Sequence, residues 1–148
     1  MPPAIDIVAD GLIGHDQYVL LCRHQDEQHW TLPGRVVAPG EPVERSLLRT
    51  LREDFGFSVH DYRFSAAIEN IDETSIESHH EIHFVFEIDL AQPANEGIRN
   101  GRELKWAWWG SIDSIDIRPQ PVAEQLRDPE QQQRVWAPWA ANAGAGAQ

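Results

Sequence analysis

Apolar, β-prone runs alternating with only two amphipathic helical stretches, one early and one late, predict a mixed α/β domain with helices covering a sheet. Its 148 residues suit a single domain, which at this size buries roughly 68–70% of its unfolded surface. An apolar share of 41% with an ordinary charged share of 24% argues against wholesale disorder. No linker, internal repeat or sustained heptad run divides the chain.

Ala4 to Ala9 is apolar and β-prone, ends at Gly11, and is followed by a turn signal at Gly14, His15 and Asp16. Tyr18 to Cys22 is a continuous apolar run whose length and flanks favour a buried strand. Polar residues from Arg23 to His29 form a loop. Trp30-Thr31-Leu32 then leads into a breaker-rich segment with Pro33, Gly34, Pro39, Gly40 and Pro42. A helix is predicted over 42–55. Pro42 suits its first position, Glu41 and Glu44 complement the positive end of its dipole, and Gly56 provides a stop. Val43, Leu47, Leu48, Leu51 and Phe55 trace one helical face. Ile82 to Ile88 reads as a strand, Trp106 to Trp109 as another, and Pro121–Arg127 as a last helix extending toward Trp136. From Ala140 onward the Ala/Gly-rich tail has nothing to bury and is expected to fray, leaving 1–139 as the folded domain and 140–148 as a flexible tail.

The formal charge of −12 argues against unaided binding of a nucleic-acid polymer or an anionic lipid surface. It permits a phosphorylated small molecule if a divalent cation sits between the like charges. The single cysteine, Cys22, excludes an internal disulfide and suggests an intracellular, cytoplasmic chain. The first residues lack the basic and apolar regions of a signal peptide. No apolar run approaches the ~20 residues needed to span a membrane.

Chemistry concentrates at the end of the first helix. At ~100° per residue, Thr50, Glu53 and Asp54 fall on the border of its apolar stripe, and Arg49 is placed to pair with Glu53 at the i,i+4 spacing. The loop before it, Leu32-Pro33-Gly34-Arg35, offers backbone that can approach a ligand closely. Two carboxylates on a rigid helix suit magnesium, which takes one or two such groups plus phosphate oxygens and waters. A solvated, charged helix end beside a buried face is the plainer alternative.

Residues 30–57 resemble the Nudix hydrolase signature, G-x5-E-x7-R-E-U-x-E-E-x-G-U with U a bulky apolar residue. Trp30-Thr31-Leu32-Pro33-Gly34 matches its lead-in; Glu41, Arg49, Leu51, Glu53-Asp54, Gly56 and Phe57 take their slots in the box at 35–57. The resemblance spans roughly residues 4–127. It implies a single Nudix domain, an α/β/α sandwich around a mixed sheet. The activity implied is hydrolysis of a nucleoside diphosphate linked to another moiety, with magnesium, or manganese in its place. Three positions depart from the pattern: Arg35 replaces the opening glycine, Thr50 a glutamate, and Asp54 a glutamate. A threonine hydroxyl coordinates magnesium weakly and cannot act as a base near neutral pH.

Under this resemblance Glu53 and Asp54 hold the metal, Arg49 orients Glu53, and Gly34 and Arg35 contact the substrate, with the main-chain carbonyl at Arg35 completing the coordination. Glu81 is the natural replacement base. On a strand over 79–88 it shares a face with His79 and His83, while His80, Ile82, Phe84 and Phe86 share the other. The same trio reads equally as a solvated polar face, and less readily as a zinc site. The acidic stretch Glu69, Asp72, Glu73 and Glu77 is a second source of a base or simply a solvated connection. Arg35, Arg99, Arg102 and Lys105 are candidate phosphate partners. Alternation predicts that one of Trp106 and Trp108 is core, and Trp136 and Trp139 suggest a homodimer surface. The competing functional reading is a nucleotide-binding or regulatory module on the same fold with weakened turnover.

Overall fold

A computed structural model describes residues 4–74, 79–128, 130 and 134–139. Glu77 and the tail 140–148 lie outside the described residues. The described chain forms eight strands and two α-helices: β1 (Ile5–His15), β2 (Tyr18–His24), β3 (Gly34–Val36), α1 (Val43–Glu53), β4 (Val59–Asp72), β5 (His79–Leu90), β6 (Gly97–Arg99), β7 (Arg102–Trp108), α2 (Gln120–Arg127) and β8 (Trp136–Ala137). The strands make one mixed sheet in the order β6-β7-β2-β1-β5-β4-β8, with β3 added to β1. β1 runs parallel to β5, and β8 parallel to β4; the other pairings are antiparallel.

Each face of the sheet carries a helix. Leu47, Leu51 and Phe55 of the α1 segment pack with Ala9, Ile13, Leu20, Phe86, Ile88 and Leu104. On the other face Val122, Ala123 and Leu126 of α2 pack with Val19, Leu21, Ala66, Ile68 and Val85. This is the mixed α/β arrangement that the sequence pattern predicted, in the α/β/α form that the family resemblance implied. Strand alternation sends successive residues to opposite cores, so each central strand is apolar on both sides.

β1 continues through Gly11, where the sequence suggested a stop. The Gly11 N–H donates to the Pro33 carbonyl at 2.7 Å, and a Cβ there would lie 3.2 Å from Ile88. Glycine thus marks a close approach of the lead-in loop to the sheet. The turn falls at Asp16, whose φ is 55°. Pro42 sits just before the first helical residue and not at it. Gly56, at φ 72°, ends α1 and lets the Phe57 N–H reach the Leu51 carbonyl at 2.8 Å.

The last helix stops at Arg127 and does not run on to Trp136, which instead pairs with Ala67 on β4. Trp136 is exposed, whereas the Trp139 N–H donates to Glu69 at 3.0 Å. Trp106 joins the α1-side core and bonds the Ala94 carbonyl at 2.8 Å through its indole N–H, while Trp108 is exposed. No helix among the described residues is long and apolar enough to cross a membrane.

Candidate active site

The lead-in reaches α1 through a cramped contact. Gly34 pairs with Asp10 on β1, and a Cβ at position 34 would collide with the Ala9 carbonyl and the Asp10 carboxylate. Only glycine lets the chain pass this close. Arg35, paired with Ala9, turns toward α1.

Along α1 the charges form a ladder. Arg49 makes a fork to Glu41, with Nε and Nη2 each donating at 3.0 Å, and reaches Glu53 at 3.5 Å. Its principal partner is therefore Glu41, which braces the guanidinium against the segment just before α1. That hydrogen bond holds the Glu41 carboxyl below its usual range. Glu53 is half exposed, with Arg52 a further 3.7 Å away. Asp54 lies 3.4 Å from Arg35 and 3.8 Å from Arg102, and its carbonyl accepts from the Asn100 side chain at 2.8 Å. Thr50 is 1% exposed, and its hydroxyl has no partner.

Glu81 does not join this group. Alternation on β5 turns Phe84, Phe86 and Ile88 toward α1 and leaves Glu81, His83 and Val85 on the opposite face. There Glu81 accepts from His83 at 3.1 Å, His79 at 3.0 Å and Asn70 at 3.1 Å. Burial raises its pKa, but the His83, Asn70 and His79 bonds outweigh it and bring the carboxyl down to about 2. A carboxylate that weakly basic, facing away from α1, is ill suited to activate water there. The trio is not a solvated face either: His83 is buried, and its Nδ1 meets Asp10 at 2.6 Å. With both ring nitrogens on carboxylates, His83 is an imidazolium. Burial opposes its charge, yet Asp10 and Glu81 prevail and hold its pKa at about 10. Asp10 was missed in the sequence; its only signal was a carboxylate inside the apolar run of β1.

The Nudix domain family's sequence model matches residues 4–133. The chain belongs to the Nudix family. The nucleoside triphosphatase NudI of Salmonella agona (strain SL483) is 42% identical over 50 residues, which is 30% of this chain. The match covers only 36% of that relative's length. Among solved structures, the mutator MutT protein from Bacillus halodurans superposes with a TM-score of 0.72 at 15% identity, covering 90% of this chain and 88% of that one. The MutT NUDIX hydrolase from Burkholderia pseudomallei gives 0.65 at 22% identity, over 89% and 98% respectively. Both likenesses concern the fold.

Nudix hydrolases generally use divalent metals, so the donor set of this Nudix chain decides what it can hold. No three or more described His, Cys, Asp and Glu side chains come together in a metal-holding group. The box instead offers two carboxylates adjacent in sequence, Glu53 and Asp54, one turn after Thr50, whose hydroxyl is buried and unpartnered. Two carboxylates are the protein share of a site at which a divalent ion would take its remaining oxygens from water and phosphate.

Proposed function

We propose that the chain is a pyrophosphohydrolase cleaving the diphosphate of a nucleoside diphosphate linked to another moiety, with one magnesium ion, or manganese in its place, at Glu53 and Asp54. The observation carrying this reading is the adjacency of those carboxylates at the end of a rigid helix that packs against the Gly34–Arg35 lead-in. Family membership supports the reaction at the level of pyrophosphate hydrolysis.

When bound, such an ion neutralises phosphate charge and lowers the pKa of a coordinated water. The protein's own work is positional. Glu41 fixes Arg49, Arg49 restrains Glu53, and the Gly34–Arg35 backbone would approach a phosphate. Glu81 is not carried forward as the base, given its partners and its face. Cytoplasmic location remains our reading from the single, buried cysteine.

Metal-dependent release of phosphate products from a panel of nucleoside diphosphate derivatives tests the proposal. Glu53→Gln should lower turnover by roughly 10²–10³-fold, the several kcal/mol expected when a metal carboxylate is lost. Equal turnover in Glu53→Gln, or turnover indifferent to chelator, refutes it. The buried Thr50 in place of a box glutamate favours one second reading, a nucleotide-binding module. Nucleotide-dependent thermal stabilisation without turnover would select it.

A further inference from the structure

Four arginines, Arg35, Arg49, Arg52 and Arg102, each lie within 4 Å of at least one of three carboxylates, Glu41 just before α1 and Glu53 and Asp54 at its end, and Arg99 lies against Gly56. Among these side chains the guanidiniums outnumber the carboxylates, on a chain whose formal charge is −12. The β6–β7 hairpin supplies part of this set. Asn100 and Gly101 at its tip have φ of 52° and 74°, the left-handed pair that a tight hairpin turn demands. The tip is clamped to the helix end: Asn100 bonds the Asp54 carbonyl, Arg99 lies against Gly56, and Arg102 stacks over Phe55 at 5.1 Å.

Arg102 is incompletely used. Its side chain is 19% exposed, its Nη1 stands 3.8 Å from Asp54, beyond hydrogen-bond range, and that nitrogen is buried with no acceptor. A buried guanidinium donor without an acceptor is costly and calls for an explanation. Beside it a cavity of about 50 Å³ opens among Arg102, Gly34, Thr31, His24, His29 and the Glu27 carboxylate; Arg35 and Asp54 stand outside its lining. That space admits a water or a phosphoryl oxygen. Arg35 closes on Asp54 from the lead-in side at 3.4 Å.

We propose that Arg35 and Arg102 form a phosphate-binding pair that rests on Asp54 in the free protein and transfers to one phosphate of a diphosphate when it docks. The inference depends on reading the box as a diphosphate site, and it adds a direct guanidinium grip that needs no metal. Asp54 and the phosphate are then competitors for the same two arginines, which gives the proposal a sign that a pure metal site lacks.

Calorimetric titration of inorganic pyrophosphate into the full chain, in EDTA, tests it. The wild type binds; Arg102→Gln and Arg35→Gln each weaken binding tenfold or more; Asp54→Asn binds several-fold more tightly, because the competing carboxylate has lost its charge. Arg35 is half exposed, so Arg35→Gln keeps the test decisive even if Arg102→Gln perturbs packing against Phe55. Absence of wild-type binding, equal binding by Arg35→Gln, or Asp54→Asn no tighter than wild type overturns the pair. Because these titrations contain no metal and involve no turnover, they can fail while hydrolysis stands, or hold while hydrolysis fails.

Discussion

Replacing His83 with leucine should cost the protein more than any other single polar substitution in the sheet. His83 and Asp10 are each 7% exposed at the side chain and meet at 2.6 Å, with Glu81 on the second ring nitrogen at 3.1 Å. Removing the imidazolium strands the Asp10 carboxylate between β1 and β5 with no cation, a loss of about 3–5 kcal/mol. At about 2–4 °C per kcal/mol for a domain of this size, the melting temperature should fall by roughly 6–20 °C. Urea denaturation and calorimetry near neutral pH measure both.

The pH dependence carries a defined sign. His83, raised to about 10 from 6.5, gives stability that is complete below 6.5 and disappears as pH rises through about 10. Glu81, lowered to about 2 from 4.5, gives stability that is complete above 4.5 and disappears as pH falls through about 2. The deficit of His83→Leu should therefore peak between 4.5 and 6.5 and shrink toward both extremes. Asp10→Asn combined with His83→Leu should cost less than the sum of the two, since the first change removes the stranded charge. A loss under about 1 kcal/mol, or a deficit flat in pH, would show that the network is not charged as described.

Two further substitutions probe the box. Gly34→Ala drives a Cβ into the Ala9 carbonyl and the Asp10 carboxylate; backbone cannot yield cheaply, so stability should drop by about 1–3 kcal/mol, with a fall in nucleotide turnover, read by thermal melts and product release. Thr50→Glu places a carboxylate where the native residue is 1% exposed, so the metal-free variant should melt below wild type, and added manganese should raise its melting temperature more than it raises the wild type's. Equal manganese shifts would indicate that position 50 does not face the metal.

The segments legible in the sequence were those with one strong period. Helix α1 showed its apolar spacing and its glycine stop, β2 an unbroken apolar run, and β5 a β-prone run, Ile82 to Ile88, broken only at His83 and Glu87. β4 gave no such signal. Its 14 residues include register shifts at Val59/Asp61 and Phe64/Ala66, and most of its first half is exposed, so neither alternation nor apolar content marks it. β3 and β6 span three residues each and exist only through pairing with β1 and β7, information that no local window contains. At the site, the spacing of Arg49, Glu53 and Asp54 was readable because a helix converts sequence separation into angle. The partnership of Glu41 with Arg49 joins a residue outside the helix to one about two turns along it, and was not. Glu81 showed its strand face correctly, but which face α1 covers is a tertiary fact, and that fact separates Glu81 from the box.

The departures at positions 35 and 50 act together. One adds a guanidinium at the mouth of the box and the other removes a carboxylate from the helix, so both shift the corner toward positive charge. An ion pair between partly exposed groups, such as Arg35 with Asp54, is worth only about 0–1 kcal/mol. It is therefore cheap to surrender, unlike the two-pronged Arg49–Glu41 fork that braces the helix. If a polyanion docks at this corner as proposed, the half-exposed Arg35 is the arginine free to turn toward it, while Arg102, stacked on Phe55, meets it from a fixed position. On the proposed reading, attraction of the phosphates and release of Asp54 toward a metal would be one event, which is how a box with fewer carboxylates than its family pattern would still assemble around a substrate.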